Sequence, residues 1–167
     1  APPDQDPWYP GAARIGDLAA QVRGSGIKPT AVLVDTSLFS GPELAPGWDP
    51  ADIEGGDFAP IEPVMLDGGR TQPVSVESRR SLTPALDAGR ALAVALGVNP
   101  ATVTTAPGPA AGRELASVQS APLIERLRQM VSASDNVMAE SIAREVAGHT
   151  QRPRSFAGAV AAVTDRL

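Results

Sequence analysis

The sequence predicts an α+β chain in two parts, a small α/β part over residues 1–114 and a helical part over residues 115–167. Three observations predict it. Short apolar runs alternate with helical spacing as far as Thr105, a Pro/Gly-rich connector spans 106–113, and three helical patterns follow one another from Ser120.

Residues 1–11 hold four prolines and read as an extended lead-in. Ile15, Leu18, Ala19 and Val22 fall at helical spacing, with Gly24 or Gly26 free to end the helix at positive φ. Ala31-Val32-Leu33-Val34 predicts a short buried strand, closed by Asp35-Thr36-Ser37. Residues 41–60 form a long loop rich in Pro, Gly and Asp that holds Trp48 and Phe58. A loop of that length packs on something or performs something. Ile61 to Leu66 predicts a second strand, stopped at Asp67-Gly68-Gly69, and Val74 and Val76 alternate as in a half-exposed strand.

Thr83-Pro84 predicts a helix start with Thr as N-cap, a buried face of Leu86, Ala93 and Leu96, and a stop at Gly97. Val103 to Thr105 is a short strand. Ser120 then caps a helix with Leu123, Leu127 and Met130 on one face. A second helix starts near Asn136 with Met138, Ile142 and Val146 on its stripe. A third follows Ser155 with Phe156, Val160, Val163 and Leu167 in register, and it runs to the last residue without a C-cap, as in a chain cut from a longer one.

Composition narrows the function. A hydrophobic fraction of 43% fits a folded chain, and only six aromatic residues leave the core to Ala, Val, Leu and Ile. Net charge is −5, and Lys28 is the single lysine beside thirteen arginines, a usage typical of a high-GC genome. Nucleic-acid binding needs clustered positive charge, which is absent. Zero cysteines exclude disulfides, thiolate metal sites and a cysteine nucleophile. No apolar run reaches the roughly 20 residues of a membrane span. Residues 1–10 are not a signal peptide, so an exported parent would carry its signal upstream of Ala1.

Ser134-Asp135-Asn136 lies between two predicted helices. One reading is local: Ser, Asp and Asn are preferred N-cap residues, and such a triplet can simply start a helix. The other is an S-x-N element of an acyl-transfer site. A hydroxyl both donates and accepts, so it can relay a proton; an amide can accept from a lysine while donating to a substrate carbonyl. One residue between them lets both face one cleft.

The surroundings favour the second reading. Ser120-Ala121-Pro122-Leu123, Leu127, Met130, the triplet itself, Ala139-Glu140 and Arg144 occur in that order. Upstream come Val32 to Ser37 with Phe39, Gly47-Trp48-Asp49-Pro50, Ala59-Pro60-Ile61 and Met65-Leu66-Asp67-Gly68. Pro84-Ala85, Ala88-Gly89 and Ala106-Pro107 continue the series. Over residues 9–167 the chain resembles the low-molecular-mass class C penicillin-binding proteins of actinobacterial type, the D-alanyl-D-alanine carboxypeptidase/endopeptidases. The resemblance implies an α/β accessory domain followed by helices of a penicillin-binding, serine β-lactamase-like domain. It implies an acyl-enzyme mechanism on peptidoglycan stem peptides, acylation by β-lactams, no cofactor, and an extracytoplasmic location. Ser134 then becomes the proton-relay hydroxyl and Asn136 the amide that orients substrate and lysine. Asp135 takes no catalytic role and caps the following helix.

The S-x-x-K and K-T-G elements of that family are missing. Ser25-Gly26-Ile27-Lys28 fits S-x-x-K by letter, but Gly26 and Pro29 predict a helix end, where serine and lysine cannot share a face. The intact protein is therefore expected to be a serine carboxypeptidase and this chain alone inactive, unless the remaining parts of the same protein complement it as separate segments. A non-catalytic binding module on the same scaffold is the alternative. His149 reads as a solvated residue, Asp49, Asp52, Glu54 and Asp57 as a solvated acidic loop, Gly55-Gly56 and Gly68-Gly69 as turns, and Trp48 as a packing residue.

Overall fold

The long loop at 41–60, nearly empty of regular structure by its sequence, carries much of the packing. In the computed structural model, which describes residues 8–72, 75, 78–109 and 111–167, Ile53, Phe58, Ala59 and Ile61 are buried together with Val137, and Phe39, Leu44, Trp48 and Met65 pack around them. The Trp48 and Phe58 rings lie 4.3 Å apart between centroids. Trp48 is thus a packing residue, as expected.

A second core sits around a βαβ arrangement. Helix α1 (Ile15–Gly24) precedes strand β1 (Leu33–Val34), and a short helix α2 (Ala51–Gly55) interrupts the long loop. Helix α3 (Pro84–Leu96) then leads to strand β2 (Thr104–Thr105), which pairs in parallel with β1 in the register Leu33↔Thr104 and Val34↔Thr105. Val32, Val34, Ala85, Ala93, Val98 and Val103 form the core beneath α3. Gly89 allows the close approach: a Cβ there would lie 2.8 Å from Val103 Cγ1 and would also overlap Val34 Cγ2. A parallel pair needs such a crossover helix, so this local sequence order dictates the topology.

Three helices complete the chain: α4 (Leu123–Ala133), α5 (Asn136–His149) and α6 (Phe156–Thr164). The architecture is mixed α and β, mostly helical, with one two-stranded parallel sheet among the described residues, consistent with the α+β class.

Several expectations need correction. Ile61 to Leu66 is not a strand. Pro60 and Pro63 cannot donate to a ladder, and the Ile61 N–H goes instead to Glu43 O at 2.9 Å. Thr83 precedes α3, but its hydroxyl caps nothing; Glu62 Oε2 accepts from Ala85 N–H at 2.8 Å in its place. Burial holds the Glu62 carboxyl above the usual range, although that N–H bond opposes the shift. Helix α4 starts at Leu123, after Pro122, rather than at Ser120, and Leu123 is exposed. Helix α6 ends at Thr164 with Asp165 as its C-cap, so it does not run to the last residue and Leu167 lies beyond it; its buried residues are Gly158, Ala159 and Ala162, while Val160 and Val163 are exposed. Small residues let α6 lie close on α5, and Gly158 has no room for a side chain because a Cβ would meet the Pro153 carbonyl. The strand reading of Val74 and Val76 lies outside the described residues.

Helix α5 is tied to the loop region by charge as well. Arg144, 1% exposed, donates to Glu140 Oε1 at 2.9 and 2.6 Å and to Pro42 O at 2.8 Å. Together with Val137, the bond to Pro42 holds α5 against the 41–60 loop.

Candidate functional site

The segment that joins α4 to α5 is two residues long. Ser134 ends α4 in the left-handed region at φ 53, ψ 42, and its N–H donates to Met130 O. The next N–H, from Asp135, reaches the same carbonyl at 3.0 Å. A left-handed residue closing a helix is common when it is glycine; a serine there carries strain. Asp135 returns to extended geometry at φ −83, ψ 101 and N-caps α5 through Oδ1, which accepts from Met138 N–H at 3.0 Å. The capping role expected for Asp135 is present.

The three side chains alternate. Ser134 and Asn136 are exposed, whereas the Asp135 side chain is fully buried. Asn136 opens α5 and its Nδ2 donates to Asp57 O at 3.2 Å. The pair therefore flanks an anchored carboxylate and stands next to the end of the 41–60 loop. A cavity of about 320 Å³ lies elsewhere, lined by Tyr9, Met65, Val137, Met138, Ser141 and Ile142. At 3.6 residues per turn those α5 positions face away from Asn136.

What holds Asp135 is a buried polar network. Oδ2 accepts from Tyr9 Oη at 2.7 Å and from Arg70 Nη2 at 3.1 Å. Arg70 Nη1 also donates to Tyr9 Oη at 3.0 Å and to Asp67 O at 3.1 Å. The Arg70 guanidinium lies 4.3 Å from the Trp8 ring centroid, and Trp8 N–H donates to Asp67 Oδ1 at 2.8 Å. Arg80 sits alongside, donating to Gly56 O at 2.8 Å and Gly68 O at 2.6 Å. Gly68, at φ +61, suits this turn: a Cβ there would be strained and would lie 2.5 Å from Tyr9 Oη and 2.8 Å from Arg80 Nη1, so both side chains would have to shift.

Electrostatics follow from this geometry. Burial pushes the Asp135 carboxyl up, but the Tyr9 hydroxyl, the Met138 N–H and the charges of Arg80 and Arg70 outweigh it and hold the group below the usual carboxylate range. Burial, then the Asp135 charge, push Tyr9 up to about 12, against the pull of Arg70. Burial, then the neighbouring Arg70, lower Arg80. A phenol with a raised folded pKa binds its proton more tightly in the folded chain. The stability this gives is whole below about pH 10 and is lost as pH rises through about 12. Tyr9 is the one tyrosine in this sequence, so a phenolate absorbance titration reads it directly. The expected result is a midpoint well above 10 that falls to the ordinary value in denaturant; equal midpoints in both states would contradict the burial of this hydroxyl.

The other candidates sit as follows. Ser25 is the C-cap of α1, its hydroxyl donating to Val22 O at 2.7 Å, and Gly26 turns the chain at φ +76. Ser25 and Lys28 therefore share no helix face. His149 is the exposed last residue of α5. In the acidic loop Asp49 accepts from Ala51 N–H at 3.0 Å, Glu54 pairs with Arg79, and Asp52 and Asp57 are exposed. Gly56 turns the chain in the left-handed region after α2. Sequence reasoning missed Tyr9, Arg70 and Arg80; no local pattern connects them to Asp135.

The Asp135 carboxylate thus anchors a turn that sets a hydroxyl and a carboxamide at a helix boundary on a mixed α/β scaffold. The chain matches the D-Ala-D-Ala carboxypeptidase 3 (S13) family over residues 5–80 and 73–167, and it belongs to that family. It is 69% identical over its whole length to the carboxypeptidase Rv3627c of Mycobacterium tuberculosis and 68% identical to the carboxypeptidase DacB of Mycolicibacterium smegmatis. It spans 36% of the length of each. No solved structure is significantly similar to it. The family read from motif order is thus the right one.

Proposed function

We propose that the chain is the segment of a serine D-alanyl-D-alanine carboxypeptidase that presents the S-x-N element to the active site. The observation that carries this reading is the alternation at 134–136: the capping of α5 falls to Asp135, so the exposed Ser134 hydroxyl and Asn136 carboxamide are not needed for it. In this reading residues 1–114 form an accessory part and residues 115–167 contribute helices to the penicillin-binding part.

The nucleophilic serine and its lysine, and the strand that binds the terminal carboxylate, belong to the rest of the parent protein. Attack on the carbonyl between the two D-alanines forms an acyl-serine and releases D-alanine. The proton taken from the nucleophile must reach the leaving amine. Ser134 supplies a hydroxyl that accepts it on one side and donates on the other. Asn136 donates its amide N–H to the substrate's peptide carbonyl and accepts from the lysine through its oxygen. Water then hydrolyses the acyl-enzyme. β-Lactams acylate the same serine, and the substrate, a peptidoglycan stem peptide, requires a location outside the cytoplasm.

The test uses the full-length protein with a fluorescent penicillin and a stem pentapeptide. Covalent labelling together with D-alanine release is the expected result, and these 167 residues alone should not label. A full-length protein that neither labels nor releases D-alanine overturns the reading in favour of a non-catalytic binding module.

A further inference from the structure

We propose that Tyr9, Arg70 and Asp135 are positioning residues for this site: a buried strut from the first part of the chain that sets the backbone between Ser134 and Asn136. The inference rests on the reading above and deepens it.

Ser134 occupies a strained left-handed conformation that neither a glycine nor its own side chain excuses. Something must over-determine it. The following residue does so, because the Asp135 carboxylate is held at three points by groups from three stretches of chain. Met138 N–H fixes Oδ1 from α5, while Tyr9 Oη and Arg70 Nη2 fix Oδ2 from positions 126 and 65 residues away. Arg70 is itself fixed, through Asp67 O and the face of Trp8, and Arg80 braces the same Gly68 turn. With the carboxylate immobile, rotation about the backbone on either side of Asp135 is blocked. The Ser134 and Asn136 Cα–Cβ vectors are set with it. A relay hydroxyl and an orienting amide need such placement, since a displacement of about 1 Å lowers a rate by as much as ~100-fold.

Capping and anchoring can be separated chemically. Asparagine at 135 still offers a carbonyl oxygen to Met138 N–H, so α5 keeps its cap, but it loses the charge that faces Arg70. Phenylalanine at 9 keeps the ring and deletes the hydroxyl. The Asp135 carboxylate is fully buried, and the Tyr9 hydroxyl is bonded to it rather than to Ser134 or Asn136.

The experiment measures acylation of the full-length protein by a fluorescent penicillin, following both the rate constant and the fraction finally labelled. Asp135→Asn and Tyr9→Phe should each slow acylation about tenfold or more while the final labelled fraction stays at the wild-type level. The double variant should be no slower than the slower single one, because both cut the same strut. Should Asp135→Asn fail to fold, Tyr9→Phe is read by itself. A lower labelled fraction with an unchanged rate constant means a purely structural role and overturns the proposal. Ser134→Ala serves as the control. If it acylates at the wild-type rate, the functional reading of the S-x-N element fails; if it is slow while the two strut variants are fast, only the positioning inference fails.

Discussion

Replacing Arg70 with alanine is expected to destabilise the protein by about 3–5 kcal/mol at neutral pH, the range for removing one partner of a buried ion pair. Both side chains are out of solvent, 3% exposed for Arg70 and 0% for Asp135. The variant would leave the Asp135 charge in the interior with the Tyr9 hydroxyl and Met138 N–H as its remaining close partners. The effect has a pH signature. In the native protein Asp135 titrates below the usual carboxylate range. Its stabilising contribution is therefore complete above about pH 4 and is lost as pH falls through the lowered folded value. Without Arg70 the buried carboxylate keeps the Tyr9 hydroxyl, the Met138 N–H and the Arg80 charge but loses one of its two neighbouring cations, so its titration moves upward and protonation costs the variant less. The gap between native and variant should narrow steadily towards about pH 3. Denaturant midpoints measured across that range decide it. A gap of constant size, or one under about 1 kcal/mol at neutral pH, would mean that Arg70 does not pair with Asp135.

Local signals in the sequence carried much of this fold. Thr83-Pro84 and Gly97 bracket α3 because proline and left-handed glycine act on the backbone where they stand. Asp135 caps α5 for the same reason, and the family emerged from motif order. The failures were those of partnership. Which face of α6 is buried depends on α5, and close helix packing chose the small residues Gly158, Ala159 and Ala162 over the larger Val160 and Val163. Ile61 to Leu66 has strand composition but found no strand to pair with. Tyr9 and Arg70 were invisible because their bonds to Asp135 span 126 and 65 residues, and no spacing rule reaches that far. The place of Ser134 and Asn136 on the turn between α4 and α5 was legible; the buried groups that hold that turn were not.

Position 134 is where stability and function should part. Ser134→Ala removes the hydroxyl but keeps a Cβ, so the left-handed strain persists and thermal stability should barely change. Ser134→Gly removes both. Glycine visits this region freely, whereas other L-residues lose about 1–2 kcal/mol there, so the glycine variant should be the more stable by about 1 kcal/mol once its greater unfolded-state entropy is counted. Both substitutions should lower acylation of the full-length protein by about 10²–10⁴-fold, the usual range for a lost proton-transfer group. The paired outcome discriminates between causes. A helix-ending serine with no chemical duty predicts a glycine variant that is stabler and fully active. A relay hydroxyl predicts a glycine variant that is stabler and nearly inert. Strain retained at φ 53 by a residue that is not glycine is a cost without return in the first case, and in the second it is what keeps a hydroxyl at the mouth of the site.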